Sequence, residues 1–161
     1  MTYRAHPETC VGHIHLKVSD LERAVTFYRD QLGFDLTQRY GSQAAFLSAG
    51  GYHHHIGLNT WSSRGGDAPP AGATGLYHVA FLYPDRAALA AAIANLVDNG
   101  VALTGAAVHG VSEAVYFNDP DGNGIEFYRD RAPEDWPRDA NGDLKIVSGP
   151  LDIDALIAEA G

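Results

Sequence analysis

Apolar and polar residues alternate through His13–Asp20 and again through His78–Asp85, the two-residue period of a β-strand. Each run ends in an aspartate, and Asp20 and Asp85 can each cap a following helix. Behind Asp20, Leu21, Ala24, Val25, Tyr28 and Leu32 recur at helical spacing, which predicts a helix over Leu21–Leu32. Behind Asp85, the alanine-rich segment Arg86–Asn99 carries Leu89, Ile93, Leu96 and Val97 on one face. Gly33 and Gly100 then fall where a helix commonly ends in left-handed geometry. Three strand-like runs follow each glycine, at roughly 34–40, 43–49 and 52–60, and at roughly 101–108, 112–118 and 123–130. Gly41-Ser42, Gly50-Gly51 and Asp119-Pro-Asp-Gly122 supply turns.

The two halves therefore repeat at an offset of 65 residues, each reading β-α-β-β-β. The expected class is α+β: two βαβββ modules forming a curved mixed β-sheet around a cavity. The modules should occupy about 10–61 and 76–131 of a domain spanning 1–131, joined by a Gly-, Ala- and Pro-rich stretch, 62–75. Residues 132–161 read as a polar C-terminal arm with a short helix over Asp152–Ala160, whose apolar face is Ile153, Leu156 and Ile157.

Composition narrows the partners. Eleven Lys and Arg stand against 20 Asp and Glu, a formal charge of −9, so no cationic surface for nucleic acid or an anionic membrane is expected. With 45% hydrophobic residues the chain can fill a core, yet no run is long enough to span a bilayer. The single cysteine, Cys10, forms no intrachain disulfide, and the first ten residues lack the apolar stretch of a secretion signal; a cytoplasmic location is the expectation.

The repeat also concentrates chemistry. His13 and His78 are equivalent positions; Glu126, in Ile125-Glu126-Phe127, is equivalent to Gly57 in Ile56-Gly57-Leu58. Taken singly, each histidine has an ordinary structural reading, and Glu126 could face solvent. An inward carboxylate in an apolar strand, however, is costly unless paired or metal-bound. Two His and one carboxylate on separate strands make the three-ligand face that suits Fe(II) and leaves positions open; Mn(II), Zn(II) and Ni(II) accept the same ligands. His15 shares a strand face with His13 and competes for the ligand role. In His53-His54-His55, strand parity with Gly57 turns His53 and His55 inward.

These pieces resemble the vicinal oxygen chelate superfamily, which includes glyoxalase I, extradiol dioxygenases and bleomycin-resistance proteins. The resemblance covers about residues 10–131. It rests on Gly12-His-Ile-His-Leu-Lys-Val-Ser-Asp-Leu21, Phe27-Tyr28, Leu32-Gly-Phe34, Tyr77-His-Val-Ala-Phe81 and Asp119-Pro-Asp-Gly-Asn-Gly-Ile-Glu-Phe127. It implies a metal held by His13, His78 and Glu126, with His13 favoured over His15 by the family spacing. Glyoxalase I enzymes usually carry a fourth ligand where this chain has Gly57, and bleomycin-binding relatives have generally lost the ligands kept here. The three-ligand pattern resembles the extradiol, catechol-2,3-dioxygenase-like branch, as do His109-Gly-Val-Ser112 and Tyr116, ten residues before Glu126. The resemblance implies Fe(II), a small vicinal dihydroxy-aromatic substrate, O2, and a homodimer. It also implies catalytic roles for His54, with His55 close behind, and for His109 and Tyr116. Trp61, Phe81 and Tyr128 are candidates to line the pocket. The alternatives are a glyoxalase-like or other metal-dependent reaction, and a non-catalytic binder of small molecules.

Overall fold

A computed structural model describes residues 2–160 and is mixed α+β. It forms two compact units, divided between Gly66 and Asp67. The strands are hydrogen-bonded as two mixed sheets of four and five strands, one in each unit, and neither closes into a barrel.

The first unit runs β1 (Ile14–Lys17), α1 (Leu21–Thr26), β2 (Asp35–Tyr40), β3 (Ala44–Ser48) and β4 (Ile56–Asn59), with sheet order β1-β4-β3-β2. The Asp20 side chain accepts from the Arg23 N–H at 3.1 Å and caps α1. The expected helix does not continue regularly to Leu32: Phe27–Gln31 is a π-helical turn, with Leu32 N–H donating to the Phe27 carbonyl five residues back. Both consecutive aromatics, Phe27 and Tyr28, are buried there and meet edge to face. β1 pairs in parallel with β4, placing Leu16 beside Leu58 in the core, and α1 lies against β3 and β4.

The second unit runs β5 (Val79–Leu82), α2 (Arg86–Asp98), β6 (Leu103–Val108), β7 (Ser112–Asn118), β8 (Gly124–Asp130), β9 (Gly149–Pro150) and α3 (Ile153–Ile157). Its sheet order is β5-β8-β7-β6-β9. Asp85 and Asp152 cap α2 and α3 by accepting from Ala88 N–H at 2.8 Å and Ala155 N–H at 2.9 Å. Leu89, Ile93 and Leu96 of α2, Leu156 of α3, and Val115, Phe117, Ile125 and Phe127 of the sheet are all buried. β9 is an addition to the repeat. It comes from the polar arm and pairs antiparallel with the end of β6.

Candidate metal and substrate site

In the second unit, tight turns place the site residues. Asp119 is buried and accepts from Asp121 N–H, Asn123 N–H and Asn123 Nδ2, so the Asp-Pro-Asp-Gly segment closes the β7–β8 hairpin. That turn sets the register in which Tyr116 lies directly opposite Glu126. Directly opposed residues share a face, and the Tyr116 hydroxyl donates to Glu126 Oε1 at 3.2 Å. The β6–β7 hairpin carries His109 at its tip, with Nε2 2.7 Å from Tyr116 Oη. Tyr116 has one proton and gives it to a carboxylate, so the His109 Nε2 must donate to the tyrosine oxygen. The result is a relay from His109 through Tyr116 to Glu126.

The other carboxylate oxygen, Oε2, lies 2.9 Å from His78 Nε2. Glu126 is itself 9% exposed. A nitrogen and a carboxylate oxygen thus converge, a donor set that suits a borderline divalent cation. Among the described residues no group of three or more His, Cys, Asp or Glu is gathered to hold an ion; His78 and Glu126 form a pair. Burial, followed by the charge of Glu126 and the hydrogen bond to it, pushes the Tyr116 hydroxyl up to about 12, so it remains protonated at neutral pH.

A cleft of about 490 Å³ opens beside this pair. Tyr77, His78, Thr104, Gly105, Tyr116 and Asn118 are among its lining residues, and Tyr77 is 90% exposed. Phe81 and Tyr128 are not among them: Phe81 packs edge-on against Phe127. Thr104 and Gly105 were not foreseen, because a register shift between Leu103 and Gly105 breaks the alternation that would have marked them.

The first unit carries a parallel arrangement with different contents. Across its sheet, one row reads His15, Gly57, Phe46, Gln38; the equivalent row of the second unit reads Ala80, Glu126, Tyr116, Gly105. Where the second unit has a carboxylate between an alanine and a tyrosine, the first has a glycine beneath two rings. The His15 and Phe46 rings lie 5.9 Å apart, and a Cβ on Gly57 would come within 2.9 Å of the His15 ring. His15 also meets Trp61 at 5.7 Å.

The three consecutive histidines lie before β4 in a bend, so strand parity does not govern them. Their carbonyls are used: His53 O accepts from the Thr37 hydroxyl and His55 O from Ile14 N–H. His55 Nδ1 lies 2.9 Å from Ser48 Oγ and accepts from Ala49 N–H, holding it on the β3 turn. His54 instead meets His13 and Phe46 at tilted ring contacts, with centroids 4.6 and 5.1 Å away. Desolvation, then the neighbouring imidazoles of His53, His13, His15 and His55, holds His54 below the usual histidine range. His53 is exposed, with its Nδ1 2.7 Å from that of His54.

With that geometry in view, comparison with known proteins gives the family. The profile of the Glyoxalase/Bleomycin resistance protein/Dioxygenase superfamily matches residues 11–127. The chain belongs to this superfamily. It is 40% identical over 156 residues, 97% of its length, to the catechol-2,3-dioxygenase of Bacillus subtilis (strain 168). It is 31% identical over 123 residues to biphenyl-2,3-diol 1,2-dioxygenase 3 of Rhodococcus globerulus. It spans 54% and 63% of the lengths of these two relatives. Among solved structures, a glyoxalase/dioxygenase from Nostoc punctiforme superposes with a TM-score of 0.65 over 82% of this chain and 99% of that one, at 23% identity. A lactoylglutathione lyase from Agrobacterium tumefaciens gives 0.60 at 27% identity, over 77% of this chain and 96% of that one.

Proposed function

We propose that this superfamily member is an extradiol ring-cleaving dioxygenase, opening a catechol-type vicinal dihydroxy-aromatic with O2. The observation that carries the reading is the Glu126 carboxylate, set between His78 and the His109–Tyr116 relay at the edge of a cleft. The two relatives, both named as dioxygenases of aromatic diols, agree with it.

His78, Glu126 and the repeat-equivalent His13 would hold Fe(II), which, when bound, offers adjacent open positions for diol and O2 and lets electron density pass between them. The internal repeat favours His13 over His15. In the second unit it is His78, not the residue two beyond it, that reaches the carboxylate, and His15 is engaged over Gly57. Tyr116, held as a donor, can turn its hydroxyl from Glu126 to an oxygen of the bound diol and stabilise the charge that develops there. His109 keeps the Tyr116 oxygen in place. His54, neutral at pH 7, can take a proton and return it. Glycine at position 57, with the His15 ring crowding the space a Cβ would take, supplies no fourth ligand from the first unit, which speaks against the glyoxalase reaction.

The assignment is tested by metal content. Protein purified without oxygen should carry one Fe(II) per chain, and His13→Ala, His78→Ala and Glu126→Ala should each lose it. A variant that keeps full metal removes that residue from the ligand set. Sedimentation of the wild type tests the proposed homodimer.

A further inference from the structure

We propose that the arm between Trp136 and Pro150 is a strap that positions His109 for catalysis. The inference rests on the dioxygenase reading only for what His109 does there; its geometry stands separately. The arm folds back on itself: Asp139 accepts from Asn141 and Asp143 N–H groups, Arg138 bridges to Leu144, and Lys145 N–H donates to the Pro137 carbonyl. This hairpin then closes over the His109-Gly110 turn. Val147 N–H donates to the His109 carbonyl at 3.2 Å, and Gly149–Pro150 pairs with Ala107–Val108 immediately before it. The following residue, Gly110, is buried with φ +79°. A Cβ there would lie 2.7 Å from Pro137 Cγ and 2.9 Å from Val147 Cγ2. Both ends of the strap thus press on one glycine that only a glycine can occupy. Arg131 adds a hydrogen bond to the Gly110 carbonyl at 3.3 Å, while Trp136 Nε1 donates to the Arg131 carbonyl at 2.8 Å.

The His109 backbone itself is therefore hydrogen-bonded from two directions. Its own hairpin provides one, through His109 N–H to the Ser112 carbonyl; the strap provides the other. The imidazole extends from this doubly held backbone to Tyr116 Oη at 2.7 Å. Val147, Pro137 and Gly110 are not among the residues that line the cleft, so they act through His109 as positioning residues. Loss of the Val147 N–H removes the strap's one hydrogen bond to the His109 backbone itself, and an error of an ångström at its ring breaks the relay.

The test replaces the donor. Val147→Pro removes one N–H from a half-exposed position; Val147→Thr keeps the N–H and the branched shape. Ring nitrogen spectra of metal-free protein labelled with 15N-histidine, with His109 assigned by His109→Asn, read the relay without any turnover. In the wild type and in Val147→Thr, His109 should show a protonated Nε2. In Val147→Pro its signals should shift toward those of an exchanging, unbonded ring. With Fe(II) and a catechol, Val147→Pro should lose about tenfold in kcat with KM and iron content unchanged, a smaller loss than removal of a proton carrier. If Val147→Pro fails to fold, Pro137→Ala, which frees the other side of Gly110, takes its place under the same readouts. Wild-type His109 spectra in the folded variant would overturn the strap. Wild-type protein that binds iron but consumes no catechol would overturn the dioxygenase reading, with the ring spectra still deciding the strap.

Discussion

Tyr116 and Gly57 show how much single residues decide. Tyr116 stands ten positions before Glu126, and the hairpin converts that separation into a cross-strand pair. The spacing was legible because a five-residue turn built on Asp119 admits one register. What the chain could not display was the His109 contact, which depends on how the next hairpin tip is held. Tyr116→Phe should keep iron bound and lower kcat by about 10²-fold, since it removes a donor and no ligand; iron content measured beside turnover checks both halves. Gly57 was legible as a missing carboxylate. That His15 fills the space above it was not, because ring orientation follows from Phe46 and Trp61 on other strands. Gly57→Ala should destabilise the protein by about 1–3 kcal/mol through overpacking. Adding His15→Ala should recover most of that loss in a denaturant titration.

Among the elements, the helices and most strands followed from period and caps, as Asp20, Asp85 and Asp152 show. The misplaced ones have physical reasons. The run 52–60 contracts to Ile56–Asn59 because the histidine carbonyls before it serve Thr37 and Ile14, leaving the His54 ring to lie against His13. β9 was invisible because a two-residue strand containing proline has no alternation to detect. One long-range set of ion pairs also escaped the sequence. Glu113 on β7 receives Arg86 from α2 and Arg129 from β8, each at 2.9 Å, and Arg86 also pairs with Glu159 behind α3. Burial alone would raise the Glu113 carboxyl, but the two guanidinium groups outweigh it and hold it below the ordinary 4.5. A depressed carboxylate stabilises the fold above its unfolded value and loses that contribution as pH falls through its folded value. Glu113→Gln should therefore cost about 1–3 kcal/mol at pH 7. The difference from wild type should fade below pH 4.5 in thermal melts taken across the acid range.

For the whole molecule, the repeat carried the fold class, because two βαβββ modules leave the same signature twice in the chain. Each unit presents one row of side chains across its sheet, and the two rows differ in content: Glu126 stands in one where Gly57 stands in the other. No helix among the described residues is long and apolar enough to cross a membrane. The central claim is that this site cleaves an aromatic diol with oxygen. Its most direct test is an oxygen electrode reading of Fe(II)-loaded protein given catechol and substituted catechols. The account predicts one O2 consumed per diol, with a yellow ring-opened semialdehyde, and no uptake by Glu126→Ala. Iron-loaded wild-type protein that consumes no oxygen with any diol, yet turns over the methylglyoxal–glutathione adduct, would contradict it.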